Sequence, residues 1–177
     1  RRSSTALVMF VATLLAAGAA RAQVGTEAPD VTLRDQYDSV FTLRALRGDV
    51  VVLVGGDREG FRYMDAYIVA LRERYGAAVR LVRFLHARGV PFFLRGYVRG
   101  RWRGTTAAGT PISPRLLDWG GAIGRGLGWQ NAHGNVYVID RGGVLRYHAA
   151  GRGAEAEVAA LLAAVADVGV APQPGSQ

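Results

Sequence analysis

Few residue types in this chain could carry out chemistry. There is no cysteine in the 177 residues, so thiol exchange, disulfide formation and thiolate metal binding are excluded for the chain alone. The three histidines are His86, His133 and His148. None lies in the H-x-E or H-E-x-x-H spacing that brings ligands together on a metal, so a metal site is not expected and the histidines read as structural. No serine lies in G-x-S-x-G, and no pair of carboxylates is spaced for acid/base work. Gly55-Gly56-Asp57-Arg58-Glu59-Gly60 could present free backbone N–H groups to an anion. It lacks the G-K-S/T and G-x-G-x-x-G patterns, as does Gly124-Arg125-Gly126-Leu127-Gly128, so no nucleotide or other cofactor is expected. The run from Phe92 to Arg103 interleaves four aromatics with Arg95, Arg99, Arg101 and Arg103 and contains no acid. Such a run suits either a polyanion contact or a segment packed by its rings with solvated guanidinium groups.

The elements that would position these groups follow from periodicity. Val50 to Val54 is a continuous aliphatic run, the pattern of a strand covered on both faces. After the Gly55-Gly56 turn, Phe61, Met64, Ile68, Leu71 and Tyr75 recur every three or four residues, predicting one amphipathic helix that ends at Gly76. Val79 to Leu85 reads as a second buried strand, interrupted by Arg80 and Arg83, which completes a βαβ unit. In an open α/β sheet, the mouth between strand end and helix start is where ligands and reactive groups collect. Upstream, Val31 and Leu33, the turn residues Asp35 to Ser39, and Val40, Phe41 and Leu43 predict a hairpin. Downstream, residues 86–114 are rich in Gly and Pro and predict a long irregular connection. Leu116 to Leu127 reads as a short helix despite four glycines. Asn135–Ile139 and Val144–His148, joined by Asp140-Arg141-Gly142-Gly143, predict a second hairpin. Ala154 to Val168 predicts the last helix, with Val158, Leu161, Leu162 and Val165 on one face.

The ends carry different signals. Arg1 and Arg2 precede the apolar run Ala6 to Ala20, and Ala20-Arg21-Ala22 has the small-residue spacing of a cleavage site. The apolar run is shorter than the roughly 20 residues a membrane span needs. Residues 1–22 are therefore expected to be a signal peptide cut after Ala22, leaving a periplasmic or secreted chain. Losing Arg1, Arg2 and Arg21, and no acid, takes the formal charge from +8 to +5. All 22 basic residues are Arg, a composition bias before it is a functional signal. Residues 171–177 are polar and Pro/Gly-rich and are expected to be a disordered tail. The expected domain is 23–170, interrupted at 86–114.

The order of these elements, and two phrases, carry a resemblance. VGTEAPDVTLRDQYDSVFTLRALRGDVVVLV is similar to the opening of the redoxins, the group holding the peroxiredoxins (AhpC/TSA) and the periplasmic thiol:disulfide reductases. Gly25, Ala28, Pro29, Asp30, Leu33, Asp35, Phe41, Leu43 and Gly48 match that opening, although Tyr37 to Ser39 lack its turn glycine. LLDWGGAIGRGLGW and NVYVIDRGGVLRYHAAG resemble the later L-L-D helix and terminal hairpin. The resemblance implies an α/β thioredoxin-like fold, a central mixed sheet flanked by helices with an N-terminal hairpin extension. It also implies where a redox site would stand. The reductases' two cysteines align with Gly60 and Tyr63, and the cis-proline facing them aligns with Gly134, preceded by His133. Disulfide exchange needs a thiolate, so the site is degenerate.

Two functions remain open on the sequence. One is a non-catalytic binding or accessory role, in which Tyr63, His133, Gly60 and Gly134 line a groove for an unidentified protein or envelope component. Arg95, Arg99, Arg101 and Arg103 would then add contact to an anionic polymer. Export makes nucleic acid an unfavoured partner. The other is an oxidoreductase-like enzyme acting through a non-thiol group or a bound cofactor, with Tyr63 and His133 as the candidates.

Overall fold

The structure is a computed structural model that describes residues 23–103 and 115–174. The expected signal peptide, residues 104–114 of the connection, and the last three residues of the expected tail lie outside the described residues.

Seven strands form one sheet in the order β2-β1-β5-β4-β3-β6-β7. At its centre β3 (Val51–Gly56) runs parallel to β4 (Arg80–His86), and β4 runs parallel to β5 (Arg115–Asp118). On the other side β6 (Gly134–Ile139) pairs antiparallel with β3, and β7 (Leu145–Gly151) pairs antiparallel with β6. β1 (Thr32–Asp35) and β2 (Val40–Thr42) form the N-terminal hairpin, added to the far edge through an antiparallel β1–β5 pairing. The missing turn glycine is replaced by Asp38, which takes φ 71, a region Asp tolerates better than most residues. Asp35 Oδ1 closes the turn by accepting the N–H groups of Tyr37 and Ser39, each at 2.8 Å.

The period-2 alternation of β3 divides the core into two layers. Val52 and Val54 face α1 (Met64–Tyr75) and α4 (Glu155–Asp167), packing with Met64, Tyr67, Leu71, Leu161 and Val165. Val51 and Leu53 face the other way, with Phe84, Leu116, Ile123, Leu127 and Tyr137. Among the described residues, no helix is long and apolar enough to cross a membrane.

Three expectations are corrected. The helix expected over Leu116–Leu127 is a strand, β5, followed by the short helix α3 (Ala122–Leu127). Leu116 and Leu117 are both fully buried within the sheet, and a two-residue apolar run cannot by itself tell strand from helix. The connection expected to be irregular contains a 3-10 turn, Phe92–Leu94, and a helix, α2 (Arg95–Arg103). Val98 and Trp102, four apart, pack onto the core on the α1 side and outweigh the helix penalty of Gly96 and Gly100. Phe61 does not join the buried stripe of α1. It lies in a 3-10 turn before the helix, 45% exposed, and the buried aromatics of that face are Tyr67 and Tyr75.

Candidate functional site

The mouth at the end of β3 is built by close backbone packing. A side chain at Gly55 would overlap the Phe84 ring, and one at Gly56 would press on the backbone of Gly60 and Phe61. The chain therefore turns tightly after β3, and Asp57 fixes the turn. Its Oδ1 accepts the N–H groups of Glu59 at 3.1 Å and Gly60 at 2.7 Å. Its Oδ2 accepts the N–H of Ala132 at 2.9 Å, from the loop preceding β6. One carboxylate thus joins the loop after β3 to the loop before β6. The approach to β6 is fixed in turn by Asn135, a fully buried polar side chain. Asn135 accepts from Gln130 N–H at 2.9 Å and donates to the carbonyls of Gln130 at 2.9 Å and His133 at 3.1 Å.

Gly60, Tyr63, His133 and Gly134 are brought together, but not around a vacancy. Gly60 is buried, and a Cβ placed on it would overlap the His133 carbonyl oxygen. Gly134 is tightly but less severely packed. A Cβ there would lie 3.1 Å from the Tyr67 ring and 3.4 Å from both Cβ and the carbonyl of Tyr63. The peptide bond before Gly134 is trans, as are all those described. A cysteine at position 60 has no room unless the 131–133 loop moves. Tyr63 and His133 are partly exposed on the rim. The His133 ring turns to its own loop, Nδ1 lying 2.8 Å from the Asn131 carbonyl, and the Arg62 guanidinium stands over the Tyr63 ring at 5.3 Å. No hydrogen bond joins Tyr63 to His133 among the described residues.

Behind the rim lies a second polar cluster that the helical periodicity did not mark. The Tyr67 hydroxyl donates to Glu157 Oε2 at 3.1 Å and accepts the N–H of Gly153 at 3.2 Å. Burial, partly offset by the Gly153 hydrogen bond, pushes the Tyr67 hydroxyl up to about 12. For Glu157 burial acts upward too, but hydrogen bonds from Ala154, Tyr67, Arg152 and Gly153 outweigh it and hold the carboxyl below its usual range. This cluster ties α1 to the turn between β7 and α4.

On the α3 side, Asp57 also borders an open cleft of about 450 Å³ with His86, Arg88, Arg125, Trp129 and Asn131. His86 stacks on Trp129 at 4.4 Å, and its Nδ1 lies 3.6 Å from the buried Asp118. Asp118 accepts the N–H groups of Ala122 and Ile123 at 2.7 and 3.0 Å, which starts α3. The L-L-D phrase was the available signal for this residue. Among the described residues no group of three histidines and acids could hold a metal ion.

The four arginines assigned to an anionic contact do not enter this mouth. Arg95 stands 5.3 Å over Trp119, Arg99 pairs with Asp38 at 3.2 Å, and Arg103 donates to the Gln36 carbonyl at 3.0 Å. Arg101 points to solvent with no partner among the described residues. α2 reaches the mouth only through Trp102, whose ring meets Phe61 edge-on at 5.3 Å.

Comparison with known proteins places the fold. No protein-family profile matches the chain, and no curated protein matches it. Solved structures do. A structure named as a thiol:disulfide interchange protein DsbE from Chlorobium tepidum is similar with a TM-score of 0.58 and 19% identity, over 83% of this chain and 98% of that one. The exposed lipoprotein thioredoxin of Streptococcus pneumoniae gives 0.58 and 15%, over 78% and 99%. A thiol peroxidase from Chromobacterium violaceum gives 0.59 and 12%, over 84% and 88%. The fold is thioredoxin-like, and this chain has it without a cysteine.

Proposed function

We propose that the chain is an exported, non-catalytic binding protein that uses the thioredoxin-like mouth as a recognition surface. The observation that carries the reading is the contact between Gly60 and the His133 carbonyl. It leaves no space for a side chain where the resemblance would place a nucleophile. What remains is a fixed rim presenting Tyr63, His133 and the half-exposed Phe61, braced by Asp57 and Asn135. A rigid surface with an exposed aromatic and few side chains to immobilise suits binding, because little entropy is lost on contact. The partner is an unidentified protein or envelope component.

The test is affinity capture from an envelope extract with the chain from Gln23 onward. It is compared with Tyr63→Ala/His133→Ala at the rim and with Arg95→Ala/Arg101→Ala on α2. A partner retained by the arginine variant and lost by the rim variant supports the reading. A partner lost only with the arginines, or none enriched by the unaltered chain, overturns it. Export is tested separately by the N-terminus of the mature protein, expected at Gln23.

A further inference from the structure

α2 and the turn before it leave an uncovered ridge. Phe92, Phe93 and Tyr97 are 81%, 69% and 70% exposed, and Leu94 beside them is also exposed. A contiguous group of large apolar side chains standing in solvent is uncommon on a monomer and marks a contact surface. The ridge is not the unfilled inner face of the helix. Val98 and Trp102 already form that face and are packed on the core. Phe93, Tyr97 and Arg101 follow one another at intervals of four, a separate row along the flank of the helix.

The segment that carries the ridge has charge of one sign. Between His86 and Asp118 the sequence holds six arginines and no acid. Asp38 answers Arg99 from outside the segment, and Arg95 remains exposed over Trp119. Arg101 is exposed, with no partner among the described residues. We propose that this ridge docks on a lipid bilayer surface bearing anionic headgroups. Phe92, Phe93 and Leu94 would enter the headgroup and acyl boundary, Tyr97 would sit at headgroup level, and Arg95 and Arg101 would face the lipid charge. Aromatic rings favour that boundary, and arginines near it are drawn to anionic lipid. The ring geometry separates this surface from a platform for nucleic-acid bases. Phe92 and Phe93 meet edge to face, 87° apart, and form a wedge rather than successive parallel faces. The docking is independent of the rim at Tyr63 and His133.

The experiment is vesicle co-flotation of the chain from Gln23 onward, since every strand and both core layers lie between Val31 and Val170. The probes are phosphatidylglycerol/phosphatidylcholine vesicles and vesicles of phosphatidylcholine alone. The variants are Phe92→Ser/Phe93→Ser/Tyr97→Ser and Arg95→Gln/Arg101→Gln, with circular dichroism to check folding and Tyr63→Ala/His133→Ala as the control. Flotation with the anionic vesicles is expected, falling about tenfold or more in either ridge variant and unchanged in the control. A conservative reporter, Phe93→Trp, should show blue-shifted emission on the same vesicles, which keeps the test valid if the triple variant misfolds. Absence of flotation, flotation indifferent to the aromatic changes, or emission from the Phe93→Trp reporter that does not move overturns the proposal. So does single-stranded DNA binding that needs the rings, or self-association through them without flotation.

Discussion

The mouth after β3 and the ridge before and along α2 use glycine and aromatic residues in opposite ways. At the mouth, Gly55, Gly56 and Gly60 let backbone and rings approach until no side chain fits between them. On α2, a Cβ added at Gly96 or Gly100 would meet no other described residue within 4 Å, and the rings of Phe92, Phe93 and Tyr97 stand in solvent. Two of the thioredoxin-like structures named above carry thiol:disulfide interchange and thiol peroxidase in their names. In this chain the mouth after β3 is closely packed, while the connection between β4 and β5 carries the exposed surface. The packing at the mouth is made by backbone as well as side chains, since the Cβ of a residue at position 60 would meet the His133 carbonyl.

The largest effect that could break this comparison lies at Gly60. Gly60→Ala sets a methyl group against the His133 carbonyl, a backbone atom that cannot swing aside. The expected loss is about 3 kcal/mol or more in urea unfolding, at the upper end of the range for overpacking a tight site. Gly60→Cys with Tyr63→Cys should confer no thiol:disulfide reductase activity, because the first thiol cannot be accommodated without moving the 131–133 loop. A Gly60→Ala protein as stable as the parent would mean that the mouth is open and the contrast with α2 is unfounded.

How much of this was legible beforehand depended on what fixed each element. β3, α1, β4, β6 and α4 were readable because their apolar residues fill a core on a regular period. Val52 and Val54 against Val51 and Leu53 is that period made into two layers. α2 was not readable, because Gly96 and Gly100 argue against a helix and the two residues that make it one, Val98 and Trp102, gain their energy only from the finished sheet. β5 was hidden for a related reason, since Leu116 and Leu117 are too short a run to reveal a period. At the mouth, alignment with the resembling family brought Gly60, Tyr63, His133 and Gly134 to one place. It could not reveal Asp57 as the tie between the loops, or Asn135 as the brace before β6. Those roles rest on hydrogen bonds between residues far apart in sequence, for which a lone Asp or Asn gives no periodic signal.

A smaller effect tests what stiffens the mouth from behind. Tyr67→Phe removes the partner of Gly153 N–H and of Glu157, a loss expected at about 1 kcal/mol near neutral pH. The pH dependence has a sign on each side. Tyr67 titrates at about 12 in the folded chain against 10 when unfolded, so its contribution is complete below pH 10 and fades as pH rises from 10 to 12. Glu157 is held below the 4.5 of an unperturbed side chain, so its contribution is present above that value and fades as pH falls beneath it. Tyr67→Phe should flatten the alkaline limb of a stability curve, and Glu157→Gln the acid limb. If both curves keep the parent's slopes, the cluster does not brace the mouth. Burial of Tyr67 against Gly134 would then be left as the whole of its role.

The smallest effect is also the sharpest form of the comparison, because it repeats the Gly60 substitution where the surroundings are reversed. Gly100→Ala places the same methyl group on α2, where it would meet no other described residue within 4 Å and the backbone is already helical. Alanine gives up less backbone freedom than glycine on entering a helix, so this change should stabilise the chain by about 0.5–1 kcal/mol. One substitution type is thus expected to carry opposite signs at two sites in one molecule. Gly100 lies beside Arg101 and carries none of the exposed rings, so vesicle flotation should survive the change and rise if helix formation limits docking. Destabilisation by Gly100→Ala would mean that α2 is packed more closely than its exposed flank indicates. The ridge would then be a covered surface, like the mouth, and the difference between the two regions would disappear.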